Sequence, residues 1–216
     1  MKLRKVVFGG AVALMMLAVS GAAWAQQAAQ GAQDGPRTAA AAHTDEPIVI
    51  DGEFKEAAWA SAKPVTQFLQ KDPREGEPAS EATEVRILYS NRAIYFAIHC
   101  KDATPGAIRA TELRRDNDFG NDDSFSLVLD TFHDRRNAFH FRVNPLGTQY
   151  DALLTDEGRI NDVNWDEKWS SAAHITADGW VAEIEIPFKS IRISGAEQQT
   201  WGLDFERVIR RKNEDR

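Results

Sequence analysis

The chain has 216 residues, 27 % of them charged, with 33 acidic against 26 basic side chains and a formal net charge of −7 at pH 7. That balance argues against a nucleic-acid backbone or an anionic lipid surface as partner, since both recruit clustered lysine and arginine. A single cysteine, Cys100, excludes an intramolecular disulfide, so a hydrophobic core must hold the fold.

The N-terminus reads as a secretion signal over residues 1–25. Lys2, Arg4 and Lys5 form a positive start, an apolar run follows, and Ala23-Trp24-Ala25 is a small-residue cleavage pattern. Removing it takes away three basic residues and no acid, leaving 23 against 33 and a balance of −10. The product is expected in the periplasm, associated with the outer membrane, or outside the cell. Residues 26–46 are rich in Gln, Ala and Gly, with little to bury, and read as a disordered linker.

A folded module is expected over residues 47–211. Ile48-Val49-Ile50 is a short strand ending at the turn pair Asp51-Gly52, and a short helix then plants Trp59 in the core. Residues 65–69 read as an edge strand and residues 71–80 as a loop. Residues 83–89 and 93–101 form a hairpin around Asn91-Arg92, with Val85, Ile87 and Tyr89 in one inward row and Ile94, Phe96, Ile98 and Cys100 in the other. A polar excursion leads to three strands in succession. Phe125, Leu127 and Leu129 alternate with polar partners, as do Phe139, Phe141 and Val143, and Tyr150, Ala152 and Leu154 follow the turn Asn144-Pro145-Leu146-Gly147. A last hairpin turns at Ala177-Asp178-Gly179, and a final strand carries Trp201, Leu203 and Phe205 inward. Nine or ten short strands with little helix predict an all-β fold, an antiparallel β-sandwich or jelly roll. Residues 212–216 read as the start of a following region.

Trp165 and Trp169 flank Asp166-Glu167-Lys168 at a loop–strand junction. Sugar rings pack their C–H faces on indole while their hydroxyls seek charged or amide partners. Asp166, Arg142, Asn144, Gln149 and Asp151 are the candidate partners, and an oligosaccharide or polysaccharide is the expected ligand. Either tryptophan also fits as a plug at the end of the sandwich. Asp116, Asp118, Asn121, Asp122 and Asp123 form an oxygen-rich loop, which suits a structural calcium ion and equally suits a solvated acidic turn. Asp130 and Asp134 bracket another turn, read as a cap or as salt-bridge partners of Arg135 or Arg136. Glu183 and Glu185 share one face of a strand and are expected to be solvated.

No nucleophile elbow, zinc spacing, P-loop or dinucleotide fingerprint is present, so no catalytic residue and no nucleotide is assigned. Met1, Met15 and Met16 all lie in the signal, which removes His/Met haem ligation from the mature chain; no haem is expected.

Ile50-Asp51-Gly52-Glu53 with Trp59, His99-Cys100-Lys101-Asp102, and the run from Asn121 to Phe125 with Leu129-Asp130 resemble family-9 carbohydrate-binding modules. So does Gly179-Trp180-Val181-Ala182-Glu183-Ile184-Glu185-Ile186-Pro187-Phe188. The stretches Asp130-Thr131-Phe132-His133-Asp134-Arg135-Arg136-Asn137-Ala138, Val143-Asn144-Pro145-Leu146-Gly147, Trp201-Gly202-Leu203-Asp204-Phe205 and Arg210-Arg211-Lys212-Asn213-Glu214 are similar to the N-terminal module of large bacterial envelope proteins. The resemblance implies a β-sandwich, carbohydrate binding that serves carbohydrate catabolism, calcium as a structural ion, and the C-terminal region of a longer parent protein as partner. It leaves two alternatives: part of a glycoside hydrolase, or a non-binding domain docked on an outer-membrane barrel.

Overall fold

Two antiparallel sheets face each other because their strands alternate apolar and polar residues, so that each sheet has one face to bury. The computed structural model describes residues 37–196 and 198–215. The expected signal and residues 26–36 of the expected linker lie outside the described residues.

The first sheet takes β1 (Ala42–His43), β2 (Thr83–Tyr89), β3 (Ala93–Lys101), β9 (Gly179–Pro187) and β8 (Ser170–Thr176), in the order β1-β2-β3-β9-β8. The second takes β11 (Glu214–Asp215), β10 (Gly202–Ile209), β4 (Ser124–Asp130), β5 (Ala138–Val143), β6 (Gln149–Thr155) and β7 (Ile160–Asp162), in the order β11-β10-β4-β5-β6-β7. Among the described residues only β1 pairs parallel, with β2. The all-β sandwich expected from the sequence is the observed fold. Among the described residues no helix is long and apolar enough to cross a membrane.

The main core lies between the sheets. Val85, Ile87, Phe96, Ile98, Cys100, Trp180, Ile184 and Ile186 meet Phe125, Leu127, Leu129, Phe141 and Val143. Phe205 sits among Phe68, Phe96 and Phe125 with ring centroids 5.7–6.3 Å away. Arg207 shares the inward parity of Phe205 and is fully buried; its guanidinium donates to the carbonyls of Ala82 (3.0 Å) and Lys101 (2.7 Å) and to Thr83 Oγ1 (3.0 Å). A second, smaller core covers the outer face of the first sheet. There Trp59, Leu88, Tyr95 and Ala97 pack with Ile48, Ile50 and Phe54.

Several local expectations need correction. Ile48-Val49-Ile50 is not a strand; Ile48 and Ile50 lie on the outer face of the first sheet instead. The helix that buries Trp59 is a short 3-10 segment, Ala57–Ser61. Residues 65–69 contribute single bridges, Val65 to Val85 and Leu69 to Pro78, instead of a strand. Tyr89 leaves the inward row and is exposed, resting edge-on to His43. Order also begins before Pro47, because β1 pairs with β2 and Thr44 is buried. At the other end, residues 212–215 belong to the sandwich. Asp215 pairs with Val208 and bridges Asp72, and the buried Glu214 accepts the Ser80 N–H at 3.0 Å.

The correction with most consequence concerns β6. Phe139 pairs with Leu153 and Phe141 with Asp151, so Gln149, Asp151 and Leu153 share the inward parity and Tyr150, Ala152 and Leu154 lie on the outer face. A one-residue difference in register exchanges every side chain between faces.

Candidate functional site

The outer face of the second sheet carries one polar row across four adjacent strands. Glu206 of β10 pairs with Ser126 of β4, Ser126 with Arg142 of β5, and Arg142 with Tyr150 of β6. A second row beside it runs Asp204, Val128, His140, Ala152. Ser126 and Ala152 are small and lie buried beneath their larger neighbours. The Arg142 guanidinium lies 5.3 Å from the centre of the Phe119 ring and donates through Nε to Ser124 Oγ at 3.0 Å. Tyr150 meets His140 edge-on at 5.4 Å, and its hydroxyl accepts from Asn161 Nδ2 at 2.9 Å.

Two polar atoms on this face are buried with no partner among the described residues: Ser126 Oγ and His140 Nε2. Both atoms lie beneath the surface, covered by the larger side chains of the face, so the accessible polar groups here are those of Arg142, Tyr150 and Glu206. Burial, with the nearby Arg142 charge, lowers the His140 pKa to about 4, so its imidazole is neutral at pH 7. The Tyr150 hydroxyl, the Arg142 guanidinium and the Glu206 carboxylate together offer both donors and acceptors, as a polyol requires. Further along the same face a groove of about 290 Å³ opens over Val128, Ala138 and Leu154, walled by Asp204, Arg135, Arg136 and Asn137. Its corner is stiffened by Asp130, whose carboxylate accepts the N–H groups of Asp134 (3.1 Å) and Arg135 (2.7 Å), and by Asp134, which accepts those of Arg136 (2.7 Å) and Asn137 (3.0 Å). The cap reading of these two acids holds, with backbone amides as the partners.

The seven residues expected to contact a ligand do not converge. Arg142 stands on the outer face just described. Asn144 is fully buried in its turn: its Oδ1 accepts the N–H groups of Leu146 (3.1 Å) and Thr148 (3.0 Å), and its Nδ2 donates to Asp122 (2.9 Å) and the Glu112 carbonyl (2.8 Å). The other five gather around Arg115 at the edge of the sandwich. Arg115 donates to Gln149 Oε1 (2.7 Å), Asp151 Oδ1 (2.6 Å), Asp166 Oδ1 (2.7 Å) and the Glu167 carbonyl (2.8 Å). Trp169 donates its indole N–H to Asp151 Oδ1 at 3.0 Å. It is only 7 % exposed and packs edge-on to Phe141 at 5.2 Å, so it does not present an open ring face. Trp165 is half-buried against Phe139 (5.2 Å) and Phe141 (5.9 Å). Both indoles therefore act in packing the core edge. Burial raises the Asp151 pKa, and bonds from Trp169 and Glu167 together with the Arg115 charge pull the other way.

The five oxygen-bearing residues of the acidic loop are also dispersed. Asp122 is buried and accepts from the Thr111 N–H (2.9 Å), Thr111 hydroxyl (2.8 Å), Glu112 N–H (2.8 Å) and Asn144. Burial would raise its pKa, but these hydrogen bonds outweigh burial and lower it. Asp123 points elsewhere, accepting the Arg210 N–H at 3.0 Å, and burial raises its pKa. Asp118 and Asn121 are exposed. Asp116 joins Asp151 and Asp166, whose oxygens lie within 4.8 Å of one another. That trio is already bridged by the Arg115 guanidinium, with Nε 3.2 Å from Asp116 and Nη2 on the other two acids. The residues as arranged do not fit a calcium ion bound by the acidic loop.

Glu183 departs most from expectation. It is fully buried on the outer face of the first sheet, and its Oε2 accepts the N–H groups of Asp51 (3.1 Å) and Gly52 (2.9 Å). Ser126, His140, Tyr150, Glu206, Arg115 and Glu183 were not singled out from the sequence as site or anchoring residues. The alternation of β4, β5 and β10 carries the signal for three of them, since Ser126, His140 and Glu206 occupy the polar parity of their strands.

The family model described as "Carbohydrate family 9 binding domain-like" matches residues 50–216. The chain belongs to this family. Solved structures share the fold of this family-9 module. One is a family-9 carbohydrate-binding module from Caldicellulosiruptor kristjanssonii in complex with cellotriose, at 18 % identity and TM-score 0.54, covering 79 % of this chain and 76 % of that one. The same organism's module in complex with glucose gives 16 % identity and TM-score 0.55 over 79 % and 78 %. A putative carbohydrate-binding protein from Bacteroides uniformis gives 11 % identity and TM-score 0.61 over 81 % and 85 %. No curated protein matches at a significant level.

Proposed function

We propose that this family-9 module binds a neutral saccharide on the outer face of its second sheet, over Arg142, Tyr150 and Glu206. The observation that carries the reading is the row of donors and acceptors, Glu206, Arg142 and Tyr150, that adjacent strands bring together on one outer face. Family membership and the sugar complexes of the Caldicellulosiruptor structures support it. The face holds Arg142 and Glu206 together, so its charge is balanced, as a neutral polyol requires. The module itself performs no turnover in this reading; it holds a glycan for a catabolic system. The signal-like N-terminus supports export. The resemblance to envelope-protein modules supports a C-terminal region of a longer parent as its partner.

Calorimetric titration of the full chain with cellotriose tests the reading. Binding is expected, with at least about tenfold loss in Arg142→Ala, the equivalent of one good polar contact. No heat with cellotriose, glucose or xylotriose, or equal affinity in the variant, would overturn it.

A further inference from the structure

A second groove, of about 620 Å³, lies on the other sheet, where the Asn91-Arg92 turn meets the ends of β8 and β9. Its volume is that of an ordinary small-ligand site. Arg92, Lys168 and Lys189 line it, together with Glu185, Trp169 and Phe188. None of the three cations has an acid partner among the described residues. Asp166, the acid two residues from Lys168, is taken by Arg115 at 2.7 Å. On a chain of net charge −7 this is a local reversal of sign.

The groove is also built on fixed backbone. The Phe188 N–H donates to the Arg92 carbonyl at 2.8 Å, Ser190 Oγ donates to the Lys168 carbonyl at 2.6 Å, and Gln149 Nε2 donates to the Trp169 carbonyl at 3.2 Å. The backbone beneath the three cations is thus fixed around one floor, where the half-buried Phe188 supplies apolar surface and Glu185 an acceptor for hydroxyls.

We propose that this groove is a second saccharide site, specific for an anionic pyranose that carries carboxylate or sulfate. The ring rests on Phe188, its anionic group meets the fork of Arg92 and the ammonium groups of Lys168 and Lys189, and Glu185 accepts a ring hydroxyl. The site is separate from the neutral-sugar face, with which it shares no residue.

The test titrates the full chain with trigalacturonate, with a sulfated disaccharide, and with cellotriose. At least one of the two anionic sugars is expected to bind. Its affinity should fall about tenfold in the Lys168→Ala/Lys189→Ala double variant, the sum of two exposed charge contacts. It should also weaken through screening as ionic strength rises about tenfold. Arg142→Ala should leave it unchanged within about twofold, since distant sites act independently. Both lysines are exposed, so the double variant is expected to fold; Arg92→Gln, read the same way, replaces it if it does not. The proposal is overturned if neither anionic sugar binds, if the lysine and arginine variants bind as the parent does, if Arg142→Ala causes the same loss, or if cellotriose competes for the site. Failure of cellotriose alone to bind bears on the neutral-sugar face and leaves this groove to its own result.

Discussion

The carboxylate of Glu183 and the backbone N–H of Gly52 meet at 2.9 Å across 131 residues of chain. The bond ties the N-terminal segment to the outer face of the first sheet. Gly52 has φ +84°, and an added Cβ would sit 3.0 Å from His174 Nδ1, so the turn there needs glycine for both its backbone and its space.

Burial, only partly offset by the Gly52 and Asp51 bonds, raises the Glu183 pKa from 4.5 to about 7. Between those values the native chain holds a proton that the unfolded chain has released, so this group's stability is full below 4.5 and is lost as pH rises to about 7. His140 works in the opposite sense. Its pKa falls from 6.5 to about 4, so its contribution is lost as pH drops through that interval. The two slopes oppose each other over the shared window. Glu183→Gln keeps an acceptor for both amides and removes one slope. Its stability relative to the parent is expected to rise with pH between 4.5 and about 7. Urea midpoints across that range measure it, and parallel curves for parent and variant would contradict the assignment.

Asp122 predicts an acid limb. Its lowered pKa means its contribution is present above the ordinary 3.8 and is lost as pH falls through the native value. Asp122→Asn replaces one acceptor oxygen with an amide that faces donors already in place. The expected cost is about 3 kcal/mol, read from the urea midpoint at pH 7. The variant should also lose stability less steeply than the parent below pH 4, the region of the ordinary value 3.8. A cost near zero would mean that the carboxylate does not organise the turn.

Much of this fold was legible because alternation reports which face of a strand is buried. Phe125, Leu127 and Leu129, and Phe139, Phe141 and Val143, all point inward as their pattern requires. In β6 the pattern misleads. Tyr150, Ala152 and Leu154 form the more apolar parity, yet Asp151 turns inward because Arg115 and Trp169 neutralise and bond it there. Arg115 lies 36 residues earlier and the Glu183 partners lie 131 and 132 residues away. No local pattern can announce a partner at that range. The same limit hid the roles of Trp165 and Trp169: a sequence shows that an indole sits beside a strand and does not show whether its faces are covered. The outer-face row Glu206, Ser126, Arg142, Tyr150 needed strand order as well as parity, and β10 lies next to β4 only in the folded sheet.

Gly179 carries a close approach that no other residue can share. It has φ +150°, and a Cβ there would stand 2.1 Å from the Cys100 carbonyl oxygen and 2.8 Å from Lys101 Cα, both backbone atoms of the paired strand. Neither can yield without parting β3 from β9. Gly179→Ala is therefore expected to cost more than about 3 kcal/mol, in the range reserved for core disruption. Thermal unfolding is the measurement. A fall in melting temperature of only a degree or two would show that the hairpin end relaxes freely.

Arg115 holds the edge of the sandwich by occupying a position that a cation could take. Asp116, Asp151 and Asp166 bring oxygens within 4.8 Å of one another, and Asp151 is fully buried, so three carboxylates would repel without a neutralising charge. The guanidinium supplies that charge and at the same time satisfies Gln149 and the Glu167 carbonyl. Arg115→Met keeps the stem and removes the charge. It is expected to destabilise the chain by about 3–5 kcal/mol, the cost of leaving a buried charge without its partner. Because the trio is then free to accept a hard cation, millimolar calcium should raise the melting temperature of the variant more than that of the parent. Thermal unfolding with calcium and with a chelator distinguishes the cases. An equal calcium effect on both proteins would mean that Arg115 does not stand in for a metal ion at this edge.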